Sequence, residues 1–334
     1  MRQSRKIFAA ILLLLLASGA SVAQTRHYTI SPRNAERILD ADRVMAQVEM
    51  LSDSLCAGRR TGTPGATMAA AWIAMRYRSI GLQKAGGSYF RGFRCHDRTS
   101  GRNIIGFLPG RAAQGARYVV VMAHYDNLGI LGGTMYPGAD SNSSGVASLL
   151  TIAEMFKYMN SLGKTYGKTL IFVCLDGKEK DMAGSASLWE TFRSGSLRDP
   201  STGEAVTKDK IDQVINIDQV GSTLSPIHSG RKNYLIMLSE ENSGRRALLE
   251  SVNRQYSLGM DLGFNYYGSK DFTRLFYRKV SDQKVFVDNK IPSVMFTSGI
   301  TMNNNKPYDS PSTLDIETLK KRIMLMYYFI ARTI

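Results

Sequence analysis

The sequence predicts an α/β fold: a mainly parallel sheet flanked by helices on both faces. Apolar, β-rich runs occur at Asn103–Phe107, Tyr118–Ala123, Thr169–Leu175, Gln213–Asp218, Tyr234–Leu238 and Ser293–Thr297. Helical stretches at Gly145–Met159, Ser185–Ser194 and Ser243–Tyr256 separate most of them. The runs are near-continuous rather than alternating, which is the pattern of strands buried on both sides. A chain of 334 residues can bury one substantial core, and no internal repeat points to an array.

Taken in order, the chain opens with Met-Arg-Gln-Ser-Arg-Lys, an apolar run from Ile7 to Ala17, and the small-residue site Ser21-Val22-Ala23. This is the plan of a secretory signal over residues 1–23. The run is short for a membrane span, no later segment is longer, and no cysteine stands at the cleavage site to take a lipid. The expectation is a single domain over 24–334, exported to the periplasm or secreted, with no transmembrane anchor after cleavage.

An extended lead-in from Gln24 to Asn34 precedes a helical pattern through Val44, Val48 and Leu51. The turn Gly58-Arg-Arg-Thr-Gly-Thr-Pro-Gly65 then leads into a small-residue helix ending at Gly81, with Ala70, Ile73, Ala74 and Tyr77 on one face. The stretch from Ser257 to Gln283 has glycines, aromatics and charges without a period, and its reading stays open between a loop and a hairpin insertion near the site. The closing segment from Leu314 to Ile330 repeats apolar residues at Ile316, Leu319, Ile323, Met326, Tyr327 and Ile330, the face of a core helix.

The formal charge is +15, of which Arg2, Arg5 and Lys6 belong to the signal, leaving +12 for the rest. The lysines and arginines are scattered rather than blocked, so anionic cell-surface material or plain solubility explains them better than nucleic acid, and no nucleic-acid partner is expected. Cys56, Cys95 and Cys174 form no Cys-x-x-Cys pair. Cys174 reads as a small core residue inside a strand, and a Cys56–Cys95 bridge stays open.

Chemistry-bearing residues gather in five short motifs: Ala-His124-Tyr-Asp126, Pro137-Gly-Ala-Asp140-Ser141-Asn-Ser-Ser-Gly145, Asp176-Gly-Lys178-Glu179, Asn216-Ile-Asp218 and Asn305-Lys-Pro-Tyr-Asp309. His124, Asp176 to Glu179, and Asp218 each follow or end an apolar strand run. Strand ends are where an open α/β sheet collects its functional groups.

In these motifs, and in Gly58 to Gly65, Gly184-Ser185, Ser281-Asp282 and Ile291-Pro292-Ser293, the chain resembles the M28 family of zinc aminopeptidases from about Leu51 to its C-terminus. The resemblance implies a mixed, mainly parallel sheet and a two-zinc centre: a bridging carboxylate, two further protein ligands for each ion, and a separate glutamate as general base. The related glutaminyl cyclases share the scaffold, and Asp176-Gly177 is faintly similar to their motif.

Carried over by position, the resemblance places His124 on a histidine ligand, Glu179 on the second-ion carboxylate and Asp218 on the first-ion carboxylate. Three other positions are replaced. Ser141 stands for the bridging aspartate with Asp140 one residue early, Lys178 stands for the base, and Asn305 stands for the last histidine, four residues before Asp309. Gln283 follows Asp282 where a histidine is usual, which puts Asp282 in the crevice. Asp126 belongs with the catalytic group, and Asp140 is the substitute that could help hold one ion.

A lysine ammonium cannot accept the proton that a general base must take, a step typically worth about 10²–10⁴ in rate. It can instead supply positive charge to Glu179, Asp218 and Asp140 in place of zinc. The favoured expectation is therefore an M28-like homologue, catalytically impaired or inactive, that binds a peptide-like ligand in the old crevice. The alternative is an active zinc aminopeptidase, with glutaminyl cyclase activity a further possibility.

Overall fold

In the computed structural model, residues 30–35, 37–111, 114–228, 230–240, 244–266 and 268–334 are described. The expected signal, residues 1–23, lies outside them. After a single helical turn at Pro32–Ala35, α1 (Ala41–Ser52) starts on Asp40, whose carboxylate accepts the Arg43 N–H, and buries Val44, Val48 and Leu51. Helix α2 (Pro64–Ile80) has Thr63 as its N-cap, proline at its first position, and left-handed Gly81 as its C-cap.

The strands β1 (Phe90–Arg94), β2 (Ser100–Leu108) and β3 (Tyr118–His124) are followed by a small hairpin, β4 (Gly129–Leu131) and β5 (Thr134–Tyr136). Helix α3 (Ser144–Ser161) leads to β6 (Thr169–Leu175), and α4 (Ala183–Ser194) to β7 (Ile211–Ile217). Then come β8 (Tyr234–Ser239), α5 (Arg245–Gln255), β9 (Asp261–Gly263), α6 (Lys270–Lys279), α7 (Lys284–Asp288), β10 (Ser293–Thr297) and α8 (Ile316–Ala331).

The main sheet has the order β1-β2-β6-β3-β7-β10-β8-β9. Its centre, β6-β3-β7-β10, is parallel, while β1, β2 and β8 are joined by antiparallel pairings. The sheet is thus mixed and mainly parallel, as the resemblance implied. Every residue of β3 and β6 is buried. Val119, Val121 and Ala123 face the layer containing α1, α2, α3 and α8, while Tyr118, Val120 and Met122 face Trp189, Phe192 and Phe286. A valine or leucine buried in this way contributes roughly 1.5–3 kcal/mol over leaving it in water.

From β3 the chain crosses to β6 on one side and then back over β3 to β7 on the other. That reversal is a switch point at the C-terminal ends of β3, β6 and β7, the place where open α/β sheets gather their functional groups. Asn142 ties the loop before α3 to this end: its side chain donates to the Ile217 carbonyl (2.9 Å) and accepts from the Gly145 and Gln219 N–H groups (3.1 and 3.0 Å).

The described residues of 257–283 form neither a plain loop nor a hairpin, because β9 adds to the sheet edge and α6 covers β8 and β10. Strand β1 escaped the pattern because it is an edge strand, with arginine in two of five places and no buried residue. The three cysteines are free and buried, so Cys56 and Cys95 do not pair.

Candidate functional site

Strand register sets the geometry. His124 pairs with Leu175, and Met122 pairs with Asn216, so His124, Asp176 and Asp218 emerge at one level. The His124 ring is fully buried and held at both nitrogens: Nδ1 lies 3.1 Å from the Asp126 carbonyl oxygen, and Nε2 lies 3.3 Å from Asp218 Oδ1. Burial works against a charged imidazole here, but the carboxylates of Asp218 and Asp126 outweigh it and lift the His124 pKa to about 10.

Asp218 also accepts a 2.5 Å bond from the Ser281 hydroxyl. Although burial opposes its ionisation, His124 and Lys178 hold its carboxyl well below the usual range. Asp126 accepts the consecutive N–H groups of Lys178 and Glu179, at 3.0 Å each, and a longer bond from Thr61. Its carboxylate therefore clamps the turn that carries both residues.

Asp176 braces the same turn from below, accepting from Thr61 (2.8 Å), the Gly177 N–H (2.8 Å), the Arg102 N–H (3.0 Å) and the Tyr125 hydroxyl (3.0 Å). Burial, with Asp126 close by, pushes its pKa up to about 6. Gly184 lets α4 start against this turn, since a Cβ there would stand 2.0 Å from the Asp176 carbonyl oxygen.

Lys178 Nζ lies 2.9 Å from Glu179 Oε1, with side chains only 17% and 22% exposed. Burial alone would lower the lysine pKa, yet Asp218, Glu179 and Asp126 raise it, and the ammonium is kept.

On the other wall, Asp309 accepts the N–H groups of Asp140 (2.8 Å) and Ser141 (3.0 Å). Asp140 Oδ1 accepts from Ser144 Oγ (2.9 Å) and the Gly221 N–H (2.7 Å), whereas Asp140 Oδ2 and Ser141 Oγ are buried without a partner among the described residues. Burial and the neighbouring Asp309 push the Asp140 pKa up to about 7. Asp140 thus belongs to a knot with Ser144, Gly221 and Asp309.

Asn305 lies on the closing loop. It is exposed, at left-handed φ 57, on a turn closed by the Lys306 N–H to Asn303 carbonyl bond of 3.0 Å, a conformation asparagine adopts readily. The buried residue of that motif is Asp309.

Asp282 is fully buried and neither of its oxygens has a close hydrogen-bond partner among the described residues; burial pushes its pKa up to about 6, with His124 and the nearby Ser185 hydroxyl countering in part. Gln283 is structural, accepting from Asn216 Nδ2 and donating to the Tyr277 carbonyl, both at 2.8 Å.

Sequence reasoning missed the bracing by Thr61 and Ser281, and most of all Arg59. That fully buried guanidinium donates to the carbonyls of Tyr125 (2.6 Å), Pro137 (2.7 Å), Gly138 (2.9 Å) and Leu51. The available signal was an arginine within a Gly-Arg-Arg-Thr-Gly turn.

A zinc pair needs free imidazole lone pairs and converging carboxylates. Here His124 Nε2 faces Asp218 as a ligand pair would, but Ser141 offers a neutral hydroxyl where the resemblance puts the bridge, and an ammonium lies against Glu179. Among the described residues, no group of three or more His, Cys, Asp or Glu could hold a metal ion. The residues present do not fit a two-zinc centre.

Fold and strand-end residues together are those of a peptidase scaffold. Residues 103–330 match the model of Peptidase family M28, and the chain belongs to that family. The LapA aminopeptidase of Legionella pneumophila superposes with a TM-score of 0.67 at 14% identity, over 88% of this chain and 72% of that one. A zinc aminopeptidase of Bacillus subtilis gives 0.65 at 13%, over 88% and 95% of the two chains. The glutaminyl cyclase of Porphyromonas gingivalis gives 0.61 at 17%, over 88% and 99%.

By sequence, the chain is 30% identical to the BOS complex subunit ncln of Danio rerio over 122 residues, 36% of this chain and 20% of that protein. The corresponding Gallus gallus subunit is 28% identical over 120 residues. The match spans about one fifth of the length of these relatives.

Proposed function

We propose that this chain is an exported M28 homologue in which Lys178 has taken the place of zinc, and that it binds a peptide-like ligand in the inherited crevice with little or no hydrolysis. The reading rests on one observation: the Lys178 ammonium lies 2.9 Å from Glu179, the residue the family would use as a ligand. An internal cation neutralises the carboxylates that the family matches to metal ions, and it cannot serve as the proton acceptor for an attacking water. The peptide-like ligand is inferred from the likeness of the fold to aminopeptidases. Export is inferred from the leader-like first 23 residues.

Metal analysis of protein purified in zinc-containing buffer, alongside an aminoacyl-nitroanilide panel, tests the reading. Occupancy well below two zinc ions per chain with background turnover supports it. Two tightly held ions with chelator-sensitive hydrolysis would replace it with an active zinc aminopeptidase, and release of pyroglutamyl peptides from N-terminal glutamine would replace it with a cyclase.

A further inference from the structure

Helix α6 is a basic amphipathic helix with apolar side chains left in solvent. Phe276 and Tyr277 anchor it: Phe276 stacks on Tyr266 at 4.1 Å, and the Tyr277 hydroxyl donates to the Ser293 carbonyl at 2.9 Å. On the outward side, Lys270, Arg274 and Arg278 form a stripe at four-residue spacing, all exposed. Beside that stripe run Phe272 and Leu275, 38% and 44% exposed, with Lys279. The helix carries four cations against the single acid Asp271, and none of the four is ion-paired with a described residue.

The apolar side chains continue onto neighbouring loops. Phe272 lies 5.6 Å from the Tyr266 ring, whose hydroxyl accepts from the Ile300 N–H at 2.7 Å. Two residues further on, Met302 is 79% exposed. The 299 turn in turn abuts Ser225 and Ile227, next to Leu224, which is 56% exposed. Single exposed apolar residues are ordinary, but a group on adjoining segments beside a row of cations is not.

We propose that α6 with the 224 and 300 loops is a docking face for an anionic lipid surface. The charge is complementary to acidic headgroups. Phe272 and Leu275 project from a convex helix, which suits the deformable boundary between headgroups and acyl chains better than a preformed protein pocket. Helix α6 stops two residues before Ser281, which bonds Asp218, so docking sets the crevice next to the surface.

The test is sedimentation of the secreted protein with vesicles of phosphatidylcholine alone or with 30% phosphatidylglycerol, at about 0.1 M salt. The expected result is at least tenfold stronger binding to the anionic vesicles. That binding should fall at least tenfold in Arg274→Glu/Arg278→Glu and in Phe272→Ser/Leu275→Ser, with Leu275→Gln alone as the milder variant should the serine pair fail to fold. The charge-matched control Arg94→Glu/Arg98→Glu, at the opposite sheet edge, should bind as the parent does. No binding to anionic vesicles, or an equal loss in the control, overturns the proposal. Binding of polyglutamate without binding of vesicles also overturns it, in favour of an acidic polypeptide partner.

Discussion

Replacing Lys178 asks most directly whether an ammonium stands where the family keeps zinc. At 2.9 Å and an effective dielectric of about 20, its attraction to Glu179 is roughly 6 kcal/mol before the cost of taking both charges out of water. Removing one member of a buried pair typically costs about 3–5 kcal/mol, and the residual exposure of 17% and 22% trims the expectation for Lys178→Met to about 2–3 kcal/mol. Lys178→Glu should cost more, because it adds a carboxylate next to Glu179 and Asp218 instead of only deleting a cation. For a chain of this size each kcal/mol moves Tm by about 2 °C, so Lys178→Met should melt about 4–6 °C below the parent. The assay is calorimetric melting in chelator and again with added zinc. Zinc should leave the parent unchanged and should restore part of the loss in Lys178→Glu. If Lys178→Met melts within 1 °C of the parent in chelator, the ammonium neutralises nothing and the reasoning fails.

Asn305→His should leave zinc occupancy unchanged because residue 305 is exposed, whereas Ser141→Asp combined with Lys178→Glu should raise it, as metal analysis of the dialysed variants would show. Arg59→Met should be among the most damaging single changes, about 3–5 kcal/mol by urea unfolding, since it strands four buried carbonyls of Leu51, Tyr125, Pro137 and Gly138 at once. Material exported from a bacterial host should have an intact mass corresponding to cleavage after Ala23, and a chain still beginning at Met1 would refute the signal reading.

The sheet was legible because β3 and β6 are buried on both faces, leaving runs with no polar interruption; Thr169–Leu175 and Ser293–Thr297 come out with the bounds the pattern gives. Elements that answer to a neighbour rather than to the core were not legible. Strand β1 has arginine in two of five places, β4 and β5 have three residues each, and α6 buries only Phe276 and Tyr277. The site divides the same way. His124 and Asp218 are placed by strand register, which sequence position tracks residue for residue. Asn305 and Asp309 sit on a loop, where four positions separate an exposed turn tip from a buried clamp and hydrophobic periodicity says nothing about which is which.

Arg59 and Lys178 are two forms of a single physical problem. A buried cation among carboxylates and carbonyls reads, in one dimension, as an ordinary surface charge: the Arg59 carbonyls lie on other segments, and beside adjacent Glu179 the carboxylates that hold Lys178 charged are those of distant Asp126 and Asp218. Arg59 gathers carbonyls from the last turn of α1, after β3 and before α3, so these segments converge on a fixed charge. Lys178 does the same for Glu179 on the opposite wall, on a turn that Asp126 and Asp176 hold by its own amides. With both cations part of the covalent chain, the loops can stay organised in the absence of zinc. The melting comparison in chelator measures how far that organisation depends on the two cations alone.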